Sequence, residues 1–132
     1  GWIGSYVTLQ YLELLVEPLQ MLRRAGLDLE WMIAGVEGRS DLMPSFPGLR
    51  VSQIPFYSDD DLPTLVSQID IGVMPLKDGL LERGKSALKA IIYMAGGKPV
   101  VASPVGESNH GITQGVKGWS IRRRNGLNAC KA

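Results

Sequence analysis

The sequence is poor in cysteine, histidine and net charge, and it has no long apolar run. Cys130 is the only cysteine of 132 residues, so no internal disulfide can form. That suits a reducing compartment and sets the expectation of a cytoplasmic protein. No stretch of 18 apolar residues occurs, which excludes a transmembrane helix, and no signal-peptide pattern is present. The formal net charge is +1, so bulk electrostatics point to no nucleic acid and no anionic surface. Six of the 14 basic residues gather at two places, Arg83/Lys85/Lys89 and Arg122 to Arg124, and only that local placement can matter. The Arg122 to Arg124 triplet beside Asn-Gly reads as a solvated tail. What remains is 45% hydrophobic and 20% charged residues in a length typical of one domain, a globular composition with enough core to fold without metals or disulfides.

Helical stretches alternate with short apolar ones. Trp2-Ile3-Gly4 predicts a first strand. Val7 to Arg24 carries Leu12, Leu15, Val16, Leu19 and Leu22 at helical spacing, with Pro18 expected opposite that stripe, where a kink is tolerable. Leu29 to Ala34 and Leu49 to Pro55 predict strands. Ser58-Asp59-Asp60-Asp61 predicts a capped helix start, running to about Gln68. Asp70 to Leu76 predicts a strand covered on both faces. Lys77 to Gly84 is expected as a loop, Lys85 to Ala95 as a helix stopped by Gly96-Gly97, and Pro99 to Ala102 as a strand. A short helix over Asn109 to Gln114 and a strand over Trp119 to Ile121 follow. Repeated strand–helix units with apolar strands imply an α/β, Rossmann-like parallel sheet with helices on both faces, with ligands bound beyond the carboxyl ends of the strands.

The loops at that end hold the candidate chemistry. Gly79 to Ser86 matches the phosphate-loop spacing of Gly, four residues, Gly-Lys-Ser. Its middle, Leu80-Leu81-Glu82-Arg83, is bulky where backbone must wrap a phosphate, and no later strand ends in an acid for Mg²⁺. The same residues have a second use. The first amides of a helix starting at Lys85, those of Ser86, Ala87 and Leu88, are free donors, Gly84 allows close approach, and Lys85 and Lys89 lie one turn apart. That set suits a diphosphate; the plain alternative is a solvated helix start with surface lysines. His110 reads as a surface histidine, Trp31 and Trp119 as core, and Asp59 to Asp61 as capping rather than a metal site.

Three runs carry a family resemblance: Asp70-Ile71-Gly72-Val73-Met74-Pro75-Leu76; Gly84-Lys85-Ser86-Ala87-Leu88-Lys89; and Tyr93-Met94-Ala95-Gly96-Gly97-Lys98-Pro99-Val100-Val101-Ala102-Ser103-Pro104-Val105-Gly106. Together they resemble the C-terminal, donor-binding half of the GT-B fold in group 1 (family 4) glycosyltransferases. Gly1 to Ser5 looks like that domain's opening strand and Gly115 to Trp119 like its G-x-x-G-aromatic segment. The likeness spans residues 1–121; residues 122–132 depart from it and are expected to be a truncated or rearranged tail that leaves apolar surface.

The resemblance implies a nucleotide sugar as substrate, a retaining transfer, no cofactor and no donor-site metal. The expected donor-binding residues are Gly4, Ser5, Gly84, Lys85, Ser86, Ala87, Leu88, Lys89, Gly106, Glu107 and Ser108. No catalytic residue is expected, because the acceptor domain that would complete the cleft is not in this sequence, and the domain alone should bind without turnover. Gly84 and Ile92 stand where the family often carries glutamates for the donor sugar and ribose. The expected partners are a nucleotide diphosphate or nucleotide sugar, with a separate acceptor domain or a second copy of the chain. The alternatives are a non-catalytic interaction module and a phosphate-loop nucleotide-binding protein.

Overall fold

The computed structural model describes residues 1–108 in full and, beyond them, the backbone of residues 119–120, 122–124 and 127–129. Six strands run parallel: β1 (Trp2–Ile3), β2 (Glu30–Ala34), β3 (Arg50–Ile54), β4 (Gly72–Met74), β5 (Val100–Ala102) and β6 (Trp119–Ser120). They form two trios, β1-β2-β3 and β4-β5-β6. Gly1 joins them, its nitrogen donating to Ile71 O at 2.7 Å and its carbonyl accepting from Val73 N at 3.0 Å. The resulting order, β3-β2-β1-β4-β5-β6, reverses direction between β1 and β4, the point at which doubly wound sheets open a crevice.

That crevice has a specific cause here. Past Gly1 the next outward-facing amide of β1, Ile3 N, donates not to β4 but to the phenol oxygen of Tyr93, at 2.8 Å. Tyr93 is fully buried, and burial raises its pKa. Its ring lies against Gly72 so closely that a β-carbon there would come within 2.3 Å of it. The aromatic ring thus props the two strands apart.

Side chains alternate across the sheet, and each face has its own core. Ile3, Met32, Ala34, Met74, Val100 and Ala102 pack with Leu65 and Val66 of α2 (Leu62–Ser67) and Ala90 and Tyr93 of α4 (Leu88–Ala95). Trp2, Trp31, Ile33 and Val73 pack on the other face with Leu12 and with Leu15 of α1 (Glu13–Arg24). Helices cover both faces, as the unbroken apolar strands imply.

Several elements differ from expectation. The stretch after β1 opens as a 3₁₀ helix, Tyr6–Leu12, and becomes α-helical only at Glu13. Pro18 is buried, not opposite the stripe. It lies three residues after Leu15 and four before Leu22, so its ring shares their face. The 77–84 loop contains a short helix, α3 (Leu80–Arg83), and the following helix begins at Leu88 rather than Lys85. Arg122–Arg124 forms strand β7, paired antiparallel with β8 (Leu127–Ala129), where a solvated tail was expected. The expected helix over Asn109 to Gln114, and His110 with it, lie outside the described residues. Trp31 is core, as expected.

Candidate functional site

The carboxyl ends of β1 and β4 bring three segments together. The first is the turn out of β1. Gly4 is buried there, and a β-carbon on it would meet the Trp2 ring at 2.2 Å and Lys89 Nζ at 2.6 Å. Its carbonyl accepts from Tyr57 OH at 3.1 Å. Burial, with Asp59 next in weight, raises the Tyr57 pKa. Ser5 is extended and starts the 3₁₀ helix, its carbonyl accepting from Thr8 N at 3.0 Å and Thr8 Oγ1 at 3.1 Å. In a 3₁₀ helix residues three apart eclipse, so Thr8 and Tyr11 point the same way.

The second segment is α3 to α4, and it meets that face rung by rung. Lys89 Nζ donates to Thr8 Oγ1 at 3.2 Å and lies 4.6 Å from the centre of the Trp2 ring. Lys85 Nζ lies 3.5 Å from Tyr11 OH and 4.8 Å from the centre of its ring. Two ammonium groups are therefore held over aromatic rings, an attractive but incomplete substitute for an anion. Neither has a carboxylate within 4.0 Å among the described residues. Lys89 is half-buried, and its pKa is pushed down to about 8, first by desolvation and then by Lys85. Arg83 is not free to join them, being tied to Asp78 at 2.7 Å.

The third segment is the 103–108 loop. Gly106 has φ +59°, and a β-carbon there would come within 2.7 Å of Arg83 O, so only glycine lets this loop back onto α3. Ser108 is buried, while Glu107 is exposed. Ser103 Oγ accepts from Leu76 N at 2.9 Å and pins the loop's start to the end of β4.

Of the expected site residues, the structure brings Gly4 and Ser5 to Lys89 and sets Gly106 against α3, with one correction to the helix start. Lys85, Ser86 and Ala87 are not helical, and the α4 ladder opens with Ile91 N donating to Ala87 O at 3.0 Å. The helix's own amides ahead of that first bond belong to Leu88, Lys89 and Ala90, with Ser86 and Ala87 in the coil before them. The phosphate-loop alternative also meets a physical obstacle. The amides of Arg83, Gly84 and Lys85 already donate to Gly79, Leu81 and Glu82 carbonyls, so the segment folds on itself instead of opening its donors to a phosphate. Gly84 is exposed and closes α3 with a φ of −84°.

Four contributors carried no local sequence signal: Trp2, Thr8, Tyr11 and Glu82. Tyr11 OH donates a short hydrogen bond to Glu82 Oε1. That bond raises the Tyr11 pKa to about 12, with burial second, and lowers that of Glu82. The acidic run is capping, as expected: Ser58 N donates to Asp61 Oδ2 at 2.8 Å and Ser58 Oγ to the same oxygen at 2.7 Å. No group of three or more metal-binding side chains occurs among the described residues. No helix among them is long and apolar enough to cross a membrane.

Compared with known proteins, residues 1–130 match a family model described as glycosyl transferases group 1. No curated protein and no solved structure matches the chain.

Proposed function

The chain belongs to the group 1 glycosyltransferases, and from that premise we propose that it binds the diphosphate of a nucleotide-sugar donor at the start of α4. The observation that carries this reading is the lysine pair. Lys85 and Lys89 sit side by side, partly desolvated, on aromatic rings and a hydroxyl, without a carboxylate in ion-pair range among the described residues. Burial first and the neighbouring Lys85 charge second lower the Lys89 pKa, and an anion with two negative phosphates relieves both the lost hydration and the repulsion. The amides of Leu88 to Ala90 add donors and the positive end of a helix. Gly106 to Ser108 would border the sugar, and no metal is needed to neutralise the phosphates.

Calorimetric titration with UDP and GDP tests this. Binding should be measurable, and Lys85→Ala should weaken it by about tenfold, as expected for one charge-assisted contact. Absence of binding by both nucleotides would sink the reading.

Transfer itself needs an acceptor site, and a second surface bears on where that lies. Leu80 and Leu81 are 87% and 82% exposed at the rim of the site. Water-facing leucines at a cleft mouth suit an apposed domain or a second copy of the chain. Sedimentation of the chain should report dimers that Leu80→Ser with Leu81→Ser dissolves; monomers at high concentration would leave a separate acceptor domain as the partner.

A further inference from the structure

Glu82 occupies part of the electrostatic role that a bound anion would take. Its carboxylate accepts the only proton that Tyr11 OH can donate, and that bond first, with Lys85 a lesser influence, lowers its pKa. Tyr11 OH in turn stands 3.5 Å from Lys85 Nζ. Tyr11 OH thus stands between one cation and one anion that form no direct ion pair.

The element that brings Glu82 there is lightly held. α3 is four residues long. Its two leucines face water, so no apolar side chain anchors it. Its ion pair, Arg83 with Asp78, is local and exposed. What ties it to the rest of the domain is the Tyr11–Glu82 bond and the backing of Gly106 against the carbonyls of Glu82 and Arg83. Segments with few buried contacts open at low free-energy cost.

We infer that Glu82 is a built-in competitor for the anion site: α3 holds its carboxylate on Tyr11 and beside Lys85 when the site is empty, and an incoming diphosphate displaces it. This rests on the diphosphate reading above. On displacement, Tyr11 turns its hydroxyl proton to a phosphate oxygen, Lys85 exchanges a neighbouring carboxylate for the ligand, and α3 is released. Tyr11 becomes a ligand-binding residue and Glu82 a residue that sets selectivity. A weakly charged anion gains too little from Lys85 to displace an ionised carboxylate, whereas a diphosphate also engages Lys89 and the α4 amides.

The test uses inorganic pyrophosphate and UDP with the unaltered chain, Glu82→Gln, Lys85→Ala and the double variant. Glu82→Gln keeps a carbonyl oxygen for Tyr11 but removes the charge. It should tighten pyrophosphate binding by about two- to fivefold, the range of one exposed charge pair, and the gain should shrink in high salt. In the Lys85→Ala background the gain should vanish, because Lys85 is the cation that Glu82 reaches through Tyr11 OH. Hydrogen exchange gives a readout that a merely structural Glu82 would not move: the amides of Arg83, Gly84 and Lys85 should exchange faster when pyrophosphate is bound. Pyrophosphate binding that is equal or weaker in Glu82→Gln, or slower exchange at those amides, overturns the inference and leaves the diphosphate reading standing. Binding by Glu82→Gln alone supports it in its strongest form. Binding by neither chain overturns both.

Discussion

A lysine with a pKa near 8 makes charge a variable of the site, and the sign of the effect differs between the empty and the bound protein. Lys89 falls from the ordinary 10.5 to about 8 because burial removes water from its ammonium and Lys85 stands beside it; Thr8 is its one hydroxyl partner and Trp2 its aromatic support. Below pH 8 both folded and unfolded chains carry the proton, and the folded chain bears the cost of burying it. Above pH 8 the folded chain sheds the proton while the unfolded chain keeps it to about pH 10. The unfolded state then binds more protons, so stability rises with pH across that window. Above pH 10 the sign reverses through Tyr11, whose raised pKa makes its contribution fade as pH climbs toward 12. Denaturant midpoints should increase between pH 8 and 10, and Lys89→Met should abolish the increase. Pyrophosphate affinity should fall over the same window, since the neutral amine attracts no phosphate. Flat midpoints in the unaltered chain would show that Lys89 is solvated.

Among the elements, the strands were plain in the sequence and the site was only half so. Runs such as Val73-Met74 and Val100 to Ala102 are apolar without interruption because both faces are covered, and that requirement is local. The start of α4 was misplaced because Lys85, Leu88 and Lys89 keep helical spacing through a coil; the periodicity extends three residues beyond the hydrogen bonds. α3 was missed for the converse reason, since four residues are too few to show a period. Thr8, Tyr11 and Glu82 join the site through contacts 71 to 81 residues away along the chain, and no local pattern announces those. Pro18 was placed on the wrong face although its spacing from Leu15 and Leu22 was available. Gly106 was legible as a turn, but not for its reason, which is the α3 carbonyl it lies against. Gly106→Ala should therefore cost about 1–2 kcal/mol for the left-handed backbone alone, and more because Arg83 O stands in the way. It should also tighten pyrophosphate binding, because loosening α3 weakens its hold on the competing Glu82 carboxylate. A stability change without any change in affinity would separate that loop from the site.

Across the whole molecule, the two ends of the sheet are unlike. The carboxyl end collects lysines, glycines and loop amides. At the amino end, a cavity of about 610 Å³ lies between α1 and the sheet, with Leu15, Pro18, Leu19, Trp31, Val73 and Val101 in its wall. Val73 and Val101 pack on the Trp2–Leu15 face and also border this space, and β8 runs against α1 nearby. Trp31 Nε1 is buried on the same face with no hydrogen-bond partner among the described residues. Small-to-large changes usually strain a core, but here there is room to receive them. Val101→Ile should raise stability by about 0.8 kcal/mol for the added buried methylene, read as a higher denaturant midpoint. It should leave UDP and pyrophosphate affinities unchanged, because the proposed diphosphate site lies at the opposite end of the strands. Destabilisation would mean that the space closes in solution, and a change in affinity would mean that the two ends of the sheet communicate.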